Sequence, residues 1–396
     1  MKNLSSTNLK GKRVLMRVDY NVPLDAEKNV TDDTRIRMSL PTVKKILSDG
    51  GRLILMSHLG RPKGKVNPDL SLAPVAKHLS QLLGKDVVFL PELIGDDVRN
   101  AADGLRDGDV MLLENIRFYP GEEKGDKDFA AELASLGDFY INDAFGTAHR
   151  AHVSTAVIAE FFKEDKSFGF LMENEVVNLE KVLNSDEHPY TAIIGGAKVS
   201  SKIDIIRNLI GKVDNMIIGG GMVFTFVKAL GGNIGGSLFE ADKVDEARET
   251  LMAMIAAGVN IILPVDVIAA DRFADDANTK ILPSGEIPDG WMGLDIGPES
   301  IKKAVDTVLN SAMVLWNGPM GVFEMNSFQR GTKAVALAVA SMTNAGGYSA
   351  VGGGDSVAAV NKYDLAGMMS YVSTGGGAML EYIEGKELPG IKAVKG

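Results

Sequence analysis

Thr191-Ala192-Ile193-Ile194-Gly195-Gly196-Ala197-Lys198-Val199-Ser200-Ser201-Lys202 runs from an apolar, β-branched stretch through two glycines into a segment of helical spacing over 203–210. That order is strand, tight turn, helix, the repeating unit of an α/β protein. The same grammar extends outward in both directions. Apolar runs read as strands at 13–18, 52–56, 86–90, 110–113 and 139–141, then at 191–194, 215–218, 260–263, 312–316, 348–351 and 369–372. Amphipathic segments lie between them at 40–47, 73–83, 129–136, 203–210, 244–257, 301–309 and 332–342. The alternation predicts parallel, doubly wound sheets with right-handed crossovers.

A chain of 396 residues is long for a single core, and two or three domains are expected. Residues 170–183 carry apolar side chains at helical intervals, and Asn184-Ser185-Asp186 with His188-Pro189 closes the run. This reads as a stiff helix joining two lobes; one more crossover helix inside a large domain is the alternative. Up to residue 170 there are 24 basic and 25 acidic residues, against 18 and 27 beyond it. An acidic chain without a basic tail or stripe is a poor nucleic-acid binder, so the target is expected to be small. The absence of cysteine excludes disulfides, thiolate catalysis and cysteine metal sites. Residues 1–6 lack the apolar core of a signal peptide, and no apolar stretch approaches the length of a membrane span. A cytoplasmic enzyme that binds no membrane is the expectation.

In open α/β sheets, ligands sit outside the carboxyl ends of the strands. Ten of the 14 arginines lie in the first 170 residues, and several follow a strand directly. Alternation places Arg17, Asp19 and Asn21 on one face at the end of strand 13–18, before Pro23. An Arg–Asp pair capping the strand is the structural alternative. Thr31-Asp32-Asp33-Thr34 puts a helix N-cap just ahead of Arg35, where a cation opposes the helix dipole. An anionic partner or a plain surface arginine fits that position. Ser57-His58-Leu59-Gly60-Arg61-Pro62-Lys63-Gly64 offers an imidazole and a guanidinium three residues apart after a strongly apolar strand. Arg117 and Arg150 follow strands in the same way, so these cations are expected to converge at one sheet edge. They would repel one another unless an anion neutralised them.

The second half ends its strands in glycine. After strand 191–194, glycines let a backbone approach phosphate, and Lys198 and Lys202, four apart, are expected on one helical face. The Walker spacing is absent, and so is a G-x-G-x-x-G fingerprint. Gly352-Gly353-Gly354-Asp355-Ser356 repeats the design with an acid at a helix start, suited to Mg²⁺ beside phosphates or to ordinary capping. Trp316-Asn317-Gly318-Pro319-Met320-Gly321-Val322-Phe323-Glu324 is a rigid turn ending in a carboxylate suited to ribose hydroxyls. Trp291-Met292-Gly293-Leu294 reads as a base pocket or as ordinary packing.

Taken together, Arg17-x-Asp19-x-Asn21-x-Pro23, residues 57–64, Glu114-Asn115-x-Arg117-Phe118, Phe145-Gly146-Thr147-Ala148-His149-Arg150, residues 195–202, 316–324 and 352–355, and Ser373-Thr374-Gly375-Gly376-Gly377 resemble phosphoglycerate kinases. The motifs fall in family order over essentially the whole chain. The resemblance implies two Rossmann-like lobes: 1–169 for 3-phosphoglycerate, with 374–396 packing back on it; a joining helix at 170–184; and 185–373 for nucleotide. It implies Mg-dependent, reversible phosphoryl transfer between ATP and 3-phosphoglycerate, giving ADP and 1,3-bisphosphoglycerate, and it favours a monomer. By the same resemblance, Asp19 and Asn21 hold the substrate's hydroxyl and carboxyl end, and Arg35 reaches the transferring group. His58, Arg61, Arg117 and Arg150 bind the distal phosphate. Lys198 stabilises the moving phosphoryl, with Arg35 and Gly354 as its catalytic companions, and Lys202 takes the nucleotide phosphates. Gly196, Ala197, Asn317, Gly353, Gly354 and Ser356 complete the nucleotide site, Gly293 and Leu294 flank adenine, Glu324 takes the ribose and Asp355 the metal. Ser356 stands where the family often has threonine, and the hydroxyl is kept.

Two other classes compete. A nicotinamide-dependent oxidoreductase would need the glycine fingerprint and ribose-binding acid that are missing here. A two-lobed binding protein would need a signal sequence and would have no use for Arg35, Lys198 and Asp355 together.

Overall fold

A computed structural model describes residues 2–396. It divides into two compact units, the first running to Val177 and including Glu387–Gly396, the second spanning Asn178–Lys386. In the first unit, β1 (Arg13–Val18), β2 (Arg52–Met56), β3 (Val87–Leu90), β4 (Val110–Leu113), β5 (Phe139–Asp143) and β6 (Lys166–Phe168) form one sheet. The order is β3-β4-β2-β1-β5-β6, and every pairing is parallel. β4 and β5 are buried along their whole length, as strands covered on both faces must be. The strand order reverses at β1, which pairs with β2 on one side and β5 on the other, so the loops after these strands border a switch-point crevice.

The first helix is longer than the 40–47 expected from spacing. It covers Thr34–Ser48 and passes through Pro41. An interior proline costs about 3 kcal/mol by removing one ladder bond. Burying Ile36, Val43 and Ile46 against the sheet offsets this, at about 1.5–3 kcal/mol each. The last helix, Pro389–Lys395, belongs to the first unit, where Gly390 N donates to Ala148 O at 2.8 Å and Lys166 Nζ to Ala393 O at 2.7 Å.

The second unit contains β7 (Tyr190–Ile194), β8 (Asn215–Ile218), β9 (Asn233–Ile234), β10 (Asn260–Ile262), β11 (Asp266–Ala270), β12 (Thr279–Pro283), β13 (Glu286–Ile287), β14 (Met292–Ile296), β15 (Met313–Asn317), β16 (Tyr348–Val351) and β17 (Tyr371–Val372). Its main sheet is parallel, in the order β10-β8-β7-β15-β16-β17. Doubly wound parallel sheets in both halves are thus what the alternation predicted. The spacing did not reveal the antiparallel sheet β12-β11-β14. β12 is exposed on nearly every residue and ends in Pro283, while β11 and β14 are shifted in register at Ile268/Ala269, so no clean two-residue period survives.

The glycines after β7 and β15 answer to each other. A Cβ on Gly195 would meet Pro319 O at 2.1 Å and Gly318 O at 2.7 Å, and one on Gly318 would meet Gly195 O at 2.0 Å. These contacts are backbone to backbone, so no side-chain rotation relieves them. Gly195→Ala is therefore expected to lower the stability of the second unit by about 2–3 kcal/mol. Urea unfolding followed by tryptophan fluorescence measures it, and an unshifted midpoint contradicts this packing.

A helix spans Phe170–Leu183, as the spacing predicted, and its first turn is tied to the first unit. Phe170 N donates to Thr42 Oγ1 at 2.8 Å and Met172 N to Asp143 Oδ1 at 3.0 Å. Asp143 is buried, and burial pushes its carboxyl up to about 7 despite the helix N–H groups that oppose the shift. The folded chain thus keeps a proton that the unfolded chain releases near the ordinary value of about 4. Unfolding between those values releases a proton, so this group's contribution to stability falls as pH rises. Asp143→Asn has no such proton. Its stability relative to wild type is expected to gain about 2 kcal/mol between about pH 5 and about pH 7.5. Urea unfolding at a series of pH values tests this, and parallel curves for the two proteins would refute it.

Candidate functional site

In the first unit, Val18, Tyr20 and Val22 are buried in the core, which turns Asp19 and Asn21 to the opposite side. Tyr20 N donates to Ser57 Oγ at 2.8 Å and Gly60 N to Asn21 Oδ1 at 2.8 Å, stitching the end of β1 to the loop after β2. Asn115 Nδ2 bridges Leu59 O at 2.7 Å and Leu70 O at 2.9 Å, and the Glu114 carboxylate receives Ser71 Oγ and Leu72 N. Glu114 and Asn115 therefore hold the loop that presents His58 and Arg61. Arg35 Nη1 pairs with Asp19 Oδ2 at 2.8 Å, and Arg117 Nη1 donates to Gly60 O at 3.0 Å.

Arg17 does not cap its strand through Asp19, the structural alternative the sequence left open. Its guanidinium is fully buried and donates to Ser154 Oγ at 2.8 Å, to Val18 O, and to His58 Nδ1 at 3.1 Å. Ser154 Oγ in turn donates to the buried Glu122 at 2.6 Å. Neither Ser154 nor Glu122 belongs to a strand-end motif, and no spacing rule marks them.

His58 is held far below its ordinary value by burial and then by Arg17, Arg117, Arg35 and His152. His152 falls to about 4, through burial and then Arg117, Arg17, Arg150 and His149. The structure therefore brings Arg17, Arg35, Arg117 and Arg150 within electrostatic range of His58 or of its neighbour His152. Asp19, Glu122 and Glu123 are the carboxylates paired with them or set closest to them. Arg61 and Arg150 are exposed and make no ion pair among the described residues. This surplus of cations favours a small polyanion.

In the second unit, the loops after β7, β8 and β15 and the strand β14 line a cavity of about 490 Å³. Of the expected residues, Gly196, Ala197, Gly293, Leu294, Glu324 and Asp355 line it. Lys198, Lys202, Asn317, Gly353, Gly354 and Ser356 do not line it, though the chain places several of them beside those that do. Phe224, Leu238, Phe273 and Met320 supply apolar walls that the sequence reading did not identify, since isolated apolar residues carry no positional signal. Gly293 is buried against Phe224, whose ring would lie 2.1 Å from a Cβ there.

Beside this cavity, Lys202 Nζ donates to Asn317 Oδ1, Asn317 Nδ2 to Gly352 O at 2.6 Å, and Gly318 N to Ser356 Oγ at 2.5 Å. Burial lowers Lys202 below the ordinary lysine value. The helix Gly354–Lys362 starts with Asp355 exposed in its first turn, its leading N–H groups free of helical partners. The α-helix starts later than the spacing of the two lysines predicted. Lys198 and Lys202 do not share a helical face: Lys198 is extended, Val199–Ser201 is a 3₁₀ turn, and the α-helix begins only at Ile203. Glu240 causes the break by clamping Ser200, accepting from its N at 2.9 Å and its Oγ at 2.6 Å. Lys198 remains exposed and Lys202 is tied inward.

The model of the phosphoglycerate kinase family matches residues 4–386. A phosphoglycerate kinase of Porphyromonas gingivalis is 53% identical, the match covering 98% of this chain and 99% of that protein. The protein named phosphoglycerate kinase 3, cytosolic, of Arabidopsis thaliana is 52% identical over 99% of this chain and 97% of its own length. The solved structure of phosphoglycerate kinase from Coxiella burnetii superposes with a TM-score of 0.91 at 40% identity, covering 99% of this chain and 98% of that one. With both parallel sheets and nearly every residue matched, the chain belongs to the phosphoglycerate kinase family, phosphotransferases with a carboxyl group as acceptor.

Proposed function

We propose that this chain catalyses reversible, Mg-dependent phosphoryl transfer between ATP and the carboxylate of 3-phosphoglycerate, giving 1,3-bisphosphoglycerate and ADP in glycolysis and gluconeogenesis. The observation that carries the reading is the cation cluster around His58, which repels itself unless an anion is bound. The distal phosphate lies with His58, Arg61, Arg117 and Arg150, and the hydroxyl and carboxyl end with Asp19 and Asn21. Arg35, held at the rim by Asp19, reaches the transferring group.

On the nucleotide side, Gly293 and Leu294 flank adenine, Glu324 takes the ribose, and Gly196, Ala197, Lys202 and Asn317 serve the phosphates. The N–H groups of Gly353, Gly354 and Ser356 do the same, with Gly354 next to the transferred group. Asp355 fits a magnesium ion that arrives with nucleotide: it is one exposed carboxylate beside the cavity, and Mg²⁺ usually keeps waters and phosphate oxygens as its other ligands. No group of three or more acids or histidines among the described residues forms a self-sufficient metal cage. When bound, Mg²⁺ neutralises charge on the β and γ phosphates.

The acceptor carboxylate is ionised at neutral pH and needs no general base. What remains is positioning and charge stabilisation, supplied by Arg35 from one unit and Lys198 from the other once the units close. Closure also excludes water and so suppresses hydrolysis of ATP. We place the chain in the cytoplasm, in line with the relative named cytosolic, and take it to act as a monomer.

ATP is expected to disappear only when 3-phosphoglycerate is added, as a coupled assay reports. Arg35→Ala and Lys198→Ala should each lower kcat by about 100-fold or more while changing substrate binding little. Turnover near wild type in either variant would contradict the roles given to them.

A further inference from the structure

Arg17 was given no part in binding substrate, yet its buried guanidinium ends on the ring that is. We propose that Arg17 is a positioning residue that fixes His58 as the neutral tautomer with its proton on Nε2, presenting a directed N–H to the substrate phosphate. The inference rests on the functional reading above and deepens it.

Donors and acceptors around the ring fix the tautomer. A guanidinium has only donors. Arg17 Nη2 lies 3.1 Å from His58 Nδ1, so Nδ1 must offer its lone pair, and the ring proton is left on Nε2. The guanidinium cannot turn away, because Nε is committed to Ser154 Oγ and Nη1 to Val18 O. Ser154 is itself anchored by its Oγ and its N to the two oxygens of Glu122. The relay therefore runs Glu122, Ser154, Arg17, His58, all of it buried.

The group that could reverse the tautomer is Asp19, which would accept a proton from Nδ1. Its Oδ1 is 3.8 Å away, beyond hydrogen-bond distance, and accepts Asn21 N at 3.3 Å; its Oδ2 takes Arg35. The charged neighbours of the ring come from every element packed around it. They are Arg17 and Asp19 at the end of β1, Arg35 on the helix Thr34–Ser48, Arg117 after β4 and His152 after β5. Three guanidiniums, Arg17, Arg35 and Arg117, outnumber Asp19, the carboxylate set against the ring, and oppose a second proton on it. Nε2 makes no hydrogen bond among the described residues. A neutral N–H then orients the phosphate, while the arginines supply the charge.

Long-range ¹H–¹⁵N spectra of the ligand-free protein between about pH 5 and about pH 8 test this directly, with His58 assigned from the signal lost in His58→Asn. The expected pattern is Nε2–H with an unprotonated Nδ1, unchanged across the range. A proton on Nδ1, or titration to imidazolium with a midpoint near the ordinary histidine value, overturns the proposal. Arg17→Met removes the donor and should let His58 populate both tautomers, with KM for 3-phosphoglycerate raised about tenfold and kcat little changed. Arg17→Lys keeps a donor and a charge facing Glu122 and should restore most of both signals. A folded Met variant with wild-type tautomer and KM also overturns it. If the Met variant does not fold, the wild-type and Lys spectra decide. A wild type that shows the expected spectrum but consumes no ATP with 3-phosphoglycerate would sink the functional reading and leave the tautomer assignment standing.

Discussion

One buried ion relay organises the first unit's cluster of cations. Arg17 lies in the interior at the end of the central strand, and Glu122, buried in the same interior, answers its charge through Ser154. Removing one partner of such a pair leaves an uncompensated interior charge and costs about 3–5 kcal/mol. The relay links the ends of β1 and β2 to the turn after β4 and the loop after β5, from which all of the site's side chains but Arg35 come. Burial raises the Glu122 carboxyl above its ordinary value while Arg17 pulls it down, so the two groups settle each other. With the relay fixed, the remaining cations can face outward at close quarters, where mutual repulsion becomes affinity for an anion.

The second unit solves a different problem with different means. Its cavity is walled by apolar side chains and by backbone, and its cations stand at the margin. The glycines after β7 and β15 let two main chains touch where any side chain would hold them apart. Asn317 then ties Lys202 to the backbone at Gly352, so the loops after β7, β15 and β16 act as a single piece. A rigid apolar slot with backbone N–H groups at one end suits a flat base carrying a polyphosphate.

Much of this was legible beforehand, for identifiable reasons. Parallel strands buried on both faces are continuous apolar runs, so the strands could be read directly, and Asp19, His58, Arg117 and Gly195 stand just past strand ends as that reading placed them. What escaped depended on partners distant in sequence. Arg17 looked like a neighbour of Asp19, because the buried Glu122 and Ser154 lie more than a hundred residues away along the chain. The spacing of Lys198 and Lys202 suggested one helical face, because nothing local reveals that Glu240 breaks the helix. β11, β12 and β14 were missed because exposure on β12 and a register shift between β11 and β14 erase the period that a strand would show. Local pattern reports elements, whereas buried polar bonds report only once the chain is folded.

Division of labour between the two units is the central claim, and equilibrium binding to wild type and to Arg117→Met tests it most directly. Titration calorimetry with 3-phosphoglycerate alone, and separately with Mg·ADP, should show the acid bound at least about tenfold more weakly by the variant, with affinity for the nucleotide unchanged. Undiminished binding of 3-phosphoglycerate, or an equal loss for both ligands, would contradict the account.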